Sequence, residues 1–256
     1  MPIIKLNESN KRIITMKINR CICALFCFFI FVTELSYAQS QDSISEELTS
    51  LYRAARKVIS VNQGHINTAD IGDKGLSGKA VTDMALENYS KASGKRLTMG
   101  DLSSAQSAML SAVKEVMNEN QDLINQTGVG FKGFLPAIFA RQLANRFNSK
   151  MAGKMKIKLT APKSYVRNRA NRPDKWEHNI IENTFKKSDY VKGKPFSEQS
   201  EVKGKAAYRF ILPEYYGQSC LTCHGGPKGE RDISGGKKEG GVLGELGGAI
   251  SLIIYQ

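Results

Sequence analysis

The segment Met155-Lys156-Ile157-Lys158-Leu159-Thr160 marks the place where the hydrophobic period of the chain changes from about 3.6 residues to about 2. Its three apolar residues alternate with Lys156, Lys158 and Thr160, a pattern that predicts a half-buried strand with its basic side in water. Because the patterns before it are helical and most of those after it are strand-like, the chain is predicted to be α+β. We expect a helical first half packed on an antiparallel sheet that the second half contributes.

Four amphipathic helices are predicted before this segment. The first has a capping-box sequence at Ser43-Ile44-Ser45-Glu46 and apolar residues at helical spacing up to about residue 62. The second is expected to end at Gly94, Asp101 is the predicted N-cap of the third, and Pro136 is expected to open the fourth. Long helices are therefore expected to cover the sheet.

A short helix and three further strands are predicted after the same segment. Pro173-Asp174 begins the helix, and a hairpin joins Phe196–Val202 to Lys205–Leu212 through a turn at Lys203-Gly204. The last predicted strand is Gly248–Tyr255. We find no internal repeat, so the pattern predicts a single domain.

The N-terminus has the features of a secretory signal peptide. Basic residues precede an apolar run from Cys21 to Val32, and Ser36-Tyr37-Ala38 is a small-x-small cleavage site. The apolar run is shorter than the roughly 20 residues that span a bilayer, and no second run of that kind follows. Residues 1–38 are predicted to be a signal peptide and 39–256 a single periplasmic domain without a membrane span. Translation starting at Met16 would preserve this signal.

Removal of the predicted signal changes the composition in an informative way. The chain has 256 residues, a net charge of +13 and five cysteines. Loss of 38 residues, with five basic and two acidic side chains, leaves 218 residues and a charge of +10. Three of the five cysteines are lost as well, so Cys220 and Cys223 are the two that remain.

These two cysteines belong to the pentapeptide Cys220-Leu221-Thr222-Cys223-His224. Two thiols at this spacing can each add to one vinyl group of a haem, and the adjacent histidine can then bind the iron. Export agrees with this chemistry, because such haems are attached to exported, unfolded chains. The sequence therefore predicts one covalently attached haem c, held by Cys220 and Cys223, with His224 as an axial ligand.

Other interpretations of the pentapeptide stay open at this point. In an oxidising compartment the two cysteines could form a short disulfide or a thiol redox pair. Gly225-Gly226-Pro227 disfavours a helix after the motif, where a redox pair would need one. A zinc site would need a fourth ligand, such as a second histidine. The glycine-dense stretch over residues 225–248 predicts a loop that lies close against a flat cofactor, or else a flexible surface loop.

The sixth ligand of the iron is not indicated by any motif. His65, Met109 and Met117 are candidates, but His65 is in a Gly/Asn-rich loop and the methionines are on apolar helix stripes typical of a core. His178 is expected to be solvated. A vacant or water-bound position also stays open.

Four segments together resemble a family of c-type haem domains with a PAS-like fold, found as exported single-domain proteins and as sensor modules of histidine kinases. They are Gly130-Phe131-Lys132-Gly133-Phe134-Leu135-Pro136, Lys158-Leu159-Thr160-Ala161-Pro162, Tyr165-Val166-Arg167-Asn168-Arg169-Ala170-Asn171-Arg172-Pro173-Asp174-Lys175-Trp176-Glu177 and the stretch from Cys220 to Gly226. The resemblance extends from about Ser43 to Tyr255. It implies an antiparallel sheet of about five strands with long N-terminal helices packed on it.

The same resemblance implies roles for site residues. Cys220 and Cys223 would hold the haem, and His224 would be an axial ligand. One branch of the family uses a cysteine thiolate as the other ligand, for which the predicted mature chain has no cysteine left. Arg167 is a candidate partner of a haem propionate, because a guanidinium binds a carboxylate by paired hydrogen bonds. A solvated basic stretch, or an arginine that pairs with Glu177, is the alternative.

The predicted function is one-electron transfer, or sensing of redox state or a small gas, by a periplasmic monohaem protein that is not an enzyme. The alternative is a small peroxidase-like enzyme with an open distal site; without haem, a binding protein with a structural disulfide would remain. An exported chain without an aromatic, basic platform is not expected to bind nucleic acid. Its basic charge suits an acidic redox partner protein.

Overall fold

The computed structural model describes residues 41–256, so the predicted signal peptide lies outside the described residues. Besides three short segments of other helical types, eight α-helices are present in this part of the chain. They are α1 (41–61), α2 (Gln63–Ile66), α3 (Gly78–Ser93), α4 (Ser104–Glu119), α5 (Gln121–Asn125), α6 (Pro136–Lys150), α7 (Lys175–Ile180) and α8 (Gln218–His224). Between residues 41 and 256, no helix has both the length and the apolar character that a membrane crossing requires.

The ends of the helices follow capping chemistry, with two differences from the predictions. Gly94 ends α3 in the left-handed conformation, as predicted. The N-cap of α4 is Ser103 and not Asp101, because the Ser103 and Gln106 side chains each accept from the other's backbone N–H. The predicted capping box at Ser43 lies inside α1, which is already helical at residue 41.

Four antiparallel strands form one sheet in the described residues, in the order β1-β4-β3-β2. They are β1 (Met155–Thr160), β2 (Phe196–Val202), β3 (Lys205–Tyr215) and β4 (Leu246–Tyr255). The predicted strands are therefore confirmed, but the expected total of about five is one too many. The stretch between β1 and β2 forms short turns and α7 instead of pairing with an edge of the sheet.

The alternation of side chains along β3 and β4 gives the sheet two apolar faces. Phe210 and Leu212 join the large core that α1, α3, α4 and α6 cover. Ile211 points to the opposite face, where it packs with Ile181 and Phe185 from the segment that follows α7. The α+β class is thus confirmed, and the long N-terminal helices pack on one face of the sheet.

An ion-pair cluster joins α7 to the sheet. Arg209 of β3 lies 4.2 Å above the Trp176 ring, and its Nη2 is 2.6 Å from Asp174 Oδ2. Glu177 is almost fully buried, with Lys158 Nζ at 2.9 Å and Arg209 Nη2 at 3.7 Å. The suggested pairing of Glu177 with an arginine of the 167–169 stretch is therefore wrong. Its basic partners come from β1 and β3, which the fold brings beside α7.

The connection between β3 and β4 carries the pentapeptide. It leaves the sheet after Tyr215, forms α8, and returns through residues 225–245 to β4. Hydrogen bonds close its base, from Tyr216 N to Glu245 O (2.9 Å) and from Gly244 N to Tyr216 O (2.8 Å). At the same end of the sheet, Arg53 and Arg56 of α1 pair with Glu214 of β3. This arrangement places the end of α1 near the start of α8.

Candidate functional site

The pentapeptide is helical in this structure. It forms most of α8, which ends where Gly225 N donates to Leu221 O at 2.9 Å. The glycines and proline therefore end the helix after His224 but do not exclude helix within the motif. Cys220 and Cys223 are three residues apart in α8, so both thiols project from the same side of it. Both are free and partly exposed.

His224 is held in place by two contacts. Its Nδ1 lies 2.9 Å from Glu239 Oε2, and its ring stacks on Tyr216 with centroids 5.3 Å apart and planes at 17°. Tyr216 in turn stacks on Tyr165 at 6.3 Å. The His224 side chain is still 33% exposed. The stack and the carboxylate together restrict rotation of the imidazole.

The electrostatics of Glu239 decide which nitrogen of His224 carries a proton. Burial raises the pKa of Glu239, but hydrogen bonds from Arg167 and His224 outweigh this and hold the pKa below its usual value. An ionised carboxylate only accepts hydrogen bonds, so His224 Nδ1 must be the donor. The neutral ring then has its lone pair on Nε2, which is the nitrogen left to bind a metal.

Arg167 lies beside His224, and its guanidinium donates hydrogen bonds to other groups of the protein. Its Nε is 2.6 Å from Glu239 Oε1, its Nη1 pairs with Asp232, and its Nη2 donates to Cys223 O (2.7 Å) and Lys237 O (2.9 Å). These contacts use four of the five N–H donors of a guanidinium. The predicted contact of Arg167 with a haem propionate stays a prediction. Its observed partners are carboxylates and carbonyls of the chain, which leaves little capacity for a propionate.

Asp232 organises the loop that Arg167 contacts. Its Oδ1 accepts hydrogen bonds from Ser234 N, Ser234 Oγ and Gly236 N at 2.6–3.1 Å. Burial raises the pKa of Asp232, but the hydrogen bonds from Ser234 and the Arg167 guanidinium lower it to about 2. The segment from Ser234 to Glu239 is thus held in place by these hydrogen bonds and by the contacts of Arg167.

Two glycines of the β3–β4 connection and one at the start of β4 are required by packing against the chain itself. A Cβ on Gly241 or Gly247 would overlap the Tyr216 ring, and a Cβ on Gly236 would lie 2.7 Å from Arg167 Nη1. The sequence prediction placed these glycines against a flat cofactor. The flat group that two of them contact is the tyrosine that stacks on His224.

The chemistry of the cysteines weighs against the alternatives to haem attachment. Burial raises the pKa of Cys223 and nearby Asp232 adds to this effect, whereas reactive redox cysteines have a lowered pKa. Cys220 and Cys223 form no disulfide. Within residues 41–256, no three or more His, Cys, Asp or Glu side chains are grouped to hold a metal ion.

The sequence model of the Tll0287-like family matches residues 96–254, which is more than half of the chain. The chain belongs to the Tll0287-like family. The resemblance drawn from the sequence is confirmed at the level of the family. The matched region includes β1, β2 and β3, β4 up to Ile254, the whole ion-pair cluster of α7 and the complete β3–β4 connection.

A solved structure of the family is also similar to this Tll0287-like chain. The crystal structure of the cyanobacterial heme-protein Tll0287 is 19% identical, with a TM-score of 0.37 over 46% of this chain and 70% of that one. No curated protein matches.

The candidates for the sixth iron ligand of this Tll0287-like chain lie in separate parts of the fold. Met109 and Met117 are fully buried in the large core, where both side chains pack among helices. His65 lies in α2, and its Nε2 is 3.0 Å from Lys74 O. His178 is half-buried and its Nδ1 has no hydrogen-bond partner, so the prediction of a solvated side chain is wrong. No candidate is brought to His224 by a contact in the described part of the chain.

Sequence reasoning missed a polar group at the end of α1. Ser60 Oγ is 2.8 Å from Ser219 Oγ, which fixes the end of α1 against the start of α8. Three residues later, Gln63 has both amide atoms buried without a hydrogen-bond partner. Most buried side-chain amides have a hydrogen-bond partner, so Gln63 differs from the usual pattern. Glu239 and Tyr216 were also missed, because their contacts with His224 depend on how the loop folds.

Proposed function

We propose that this chain is a periplasmic monohaem protein that binds one haem c covalently through Cys220 and Cys223, with His224 as an axial ligand. The observation that carries the proposal is the orientation of His224. A carboxylate fixes its Nδ1, and two free thiols lie within one turn of the same helix. This is the donor set that covalent haem attachment requires. The chain belongs to the Tll0287-like family and Tll0287 is a heme-protein, which supports haem binding.

The residues around α8 fit an apolar, planar group. Val242 and Leu243 are 62% and 64% exposed and follow Gly241, whose N–H donates to His224 O at 2.8 Å. Val61 is 61% exposed and follows Ser60, which contacts α8. A planar, apolar group held at α8 would have these exposed side chains near it. Gln63, the first residue of α2, has a buried amide that would be available to hydrogen-bond such a group.

Each group of the site has a separate task in this proposal. The thiols tether the cofactor, Glu239 and Tyr216 orient the imidazole, and the buried Tyr216 ring keeps water from one face of His224. Tyr165 donates to Glu245 Oε1 at 2.6 Å, an interaction that raises the pKa of the phenol to about 12. The phenol is therefore neutral at physiological pH and is not a base. The haem itself, when bound, supplies reversible one-electron chemistry.

We infer a role in one-electron transfer or in sensing redox state or a small gas, with no catalytic turnover of a substrate. None of the site carboxylates is free to act as a general acid or base, because Glu239 and Asp232 are ion-paired with Arg167 and Glu245 accepts from Tyr165. The excess of 37 basic over 24 acidic residues suits an acidic redox partner.

The first test is expression with a haem-maturation system, followed by absorption spectra and a denaturing gel stained for haem. We expect haem to stay with the wild-type chain. A Cys220→Ala, Cys223→Ala double variant should lose covalent haem completely. Thr222→Ala is the matched control, because Thr222 is an exposed residue of the same helix, and it should retain the haem. Haem that leaves the denatured wild-type chain would contradict covalent attachment.

The same preparation separates the possible roles. Reversible one-electron reduction without peroxide turnover is expected for a carrier or redox sensor. Binding of carbon monoxide to the reduced protein would favour gas sensing, and peroxide-dependent turnover would favour the peroxidase-like alternative. Export is tested by fractionation, since deletion of residues 2–38 should retain the chain in the cytoplasm without attached haem.

A further inference from the structure

We propose that Glu239 is a positioning residue for His224, which fixes the imidazole tautomer and, as an anion, lowers the reduction potential of the haem iron. The inference rests on the proposed haem function and adds what controls the iron at that site. Glu239 would touch neither the iron nor the cofactor. It would act through His224 alone.

The geometry around Glu239 is that of a fixed carboxylate and not of a mobile surface acid. Its Oε1 is 2.6 Å from Arg167 Nε and its Oε2 is 3.0 Å from Arg167 Nη2, so the two groups meet in a forked pair. The same Oε2 is 2.9 Å from His224 Nδ1. With a side chain only 9% exposed, Glu239 makes these contacts largely away from water.

Arg167 holds both ends of the His224–Glu239 contact. Its Nη2 donates to the carbonyl of Cys223, the residue before the histidine, and to the carbonyl of Lys237, two residues before the glutamate. Its Nη1 pairs with Asp232, which supplies a second negative charge. One guanidinium therefore faces two carboxylates, and the cluster keeps a net negative charge next to His224 before any metal is counted.

The expected effect on the iron follows from charge. An imidazole that donates from Nδ1 to a carboxylate becomes a stronger electron donor at Nε2. A stronger donor and a nearby negative charge both favour the ferric state, so the reduction potential is lowered. The partial burial of Glu239 makes this interaction stronger than it would be in water.

The test compares Glu239→Gln with Glu230→Gln in the haem-loaded protein. Both replace one carboxylate by an amide in the same loop, but Glu230 is exposed and pairs with Lys238. We expect Glu239→Gln to raise the ferrous-to-ferric ratio at a fixed ambient potential about tenfold, which is about 59 mV for one electron. The iron–histidine stretching frequency of the reduced variant, read by resonance Raman, should fall. Glu230→Gln should change neither.

A second measurement does not need haem. In the haem-free protein, nitrogen NMR of the His224 ring should find the proton of the neutral form on Nδ1, and Glu239→Gln should shift the ring toward the Nε2–H tautomer. Wild-type protein with its proton on Nε2 would overturn the positioning role. Attached haem whose potential is the same in Glu239→Gln and Glu230→Gln would overturn the effect on the iron. Failure of haem attachment in the wild type would instead overturn the proposed function, and the tautomer would still decide the role of Glu239.

Discussion

Tyr216 is a residue whose surroundings leave it almost no freedom. Its ring stacks on His224 on one side and is approached by the Cα atoms of Gly241 and Gly247. Burial is the main cause of the raised pKa of its phenol, with the charge of Glu239 adding to it. The ring is therefore an uncharged spacer that fixes His224 by shape.

This packing predicts that Gly247→Ala destabilises the folded protein. The added Cβ would overlap the Tyr216 ring, so the ring or β4 must shift, at a cost of about 1–3 kcal/mol in the free energy of unfolding. Urea denaturation monitored by circular dichroism measures the loss. Gly100→Ala is the control, because a Cβ there has nothing within 4 Å and the stability should hardly change. Equal stabilities for the two variants would contradict the packing described for Tyr216.

The residues that carry chemistry differ in how well a sequence can reveal them. Cys220, Cys223 and His224 can be proposed as haem-binding residues from the sequence because their spacing along the chain is itself the chemical requirement. Glu239 lies 15 positions after His224 in the sequence, and nothing in its local sequence identifies it as a partner of the histidine. The propionate contact of Arg167 stays a prediction, and its observed contacts with Glu239 and Asp232 were not predicted, since a basic side chain does not reveal which carboxylates the fold brings to it.

Among the elements, α7 shows how a short helix is fixed on a sheet. Asp174 caps its first turn, and Arg209 of β3 contacts Asp174 and covers Trp176. The helix is too short to be stable alone, so these tertiary contacts hold it in place. The Pro-Asp-Lys-Trp-Glu sequence therefore has a structural role in joining α7 to the sheet.

Arg209→Ala is expected to lower the free energy of unfolding by about 3 kcal/mol. The buried Glu177 would lose one of its two basic partners, and Trp176 would lose the guanidinium above its ring. Thermal or urea unfolding measures the change. Arg172→Ala removes an exposed arginine from the same region and should stay within about 0.5 kcal/mol of the wild type. A loss below about 1 kcal/mol for Arg209→Ala would argue against this cluster as a stabilising element.

The ends of helices were predictable where only one residue type suits the backbone conformation at that position. Gly94 and Pro136 end and open helices as predicted, because a left-handed cap and a first-turn proline are specific signals. Asp101 and Ser103 are both good caps, and the reciprocal bond with Gln106 decides between them. The surplus fifth strand came from the family resemblance, whereas alternation in the sequence predicted the four strands that form.

For the whole molecule, lowered carboxyl pKa values predict acid sensitivity. Burial raises the pKa values of Asp174 and Asp232, but backbone and side-chain hydrogen bonds and arginine partners lower both overall, that of Asp232 to about 2. A carboxyl group with a folded-state pKa below its unfolded value of about 3.9 stabilises the fold above that value. The stabilisation is lost as the pH falls from about 5 toward 2.

Urea midpoints measured between pH 7 and pH 2.5 check this prediction. The wild-type midpoint should be constant near neutral pH and fall below about pH 5. Asp232→Asn should be less stable at pH 7 and should show a shallower decrease in acid, because the amide does not titrate. Parallel curves for the two proteins would show that Asp232 does not contribute to the pH dependence.

The closed base of the β3–β4 connection has a consequence for the order of assembly. A long loop has an entropic cost of closure that grows only slowly with its length, and here the pairing of β3 with β4 brings its two ends together. The contacts that orient His224 lie within the β3–β4 connection, except those of Arg167 and Tyr165. A tethered cofactor would therefore move together with the hairpin, and formation of the hairpin alone would bring His224 and Glu239 together.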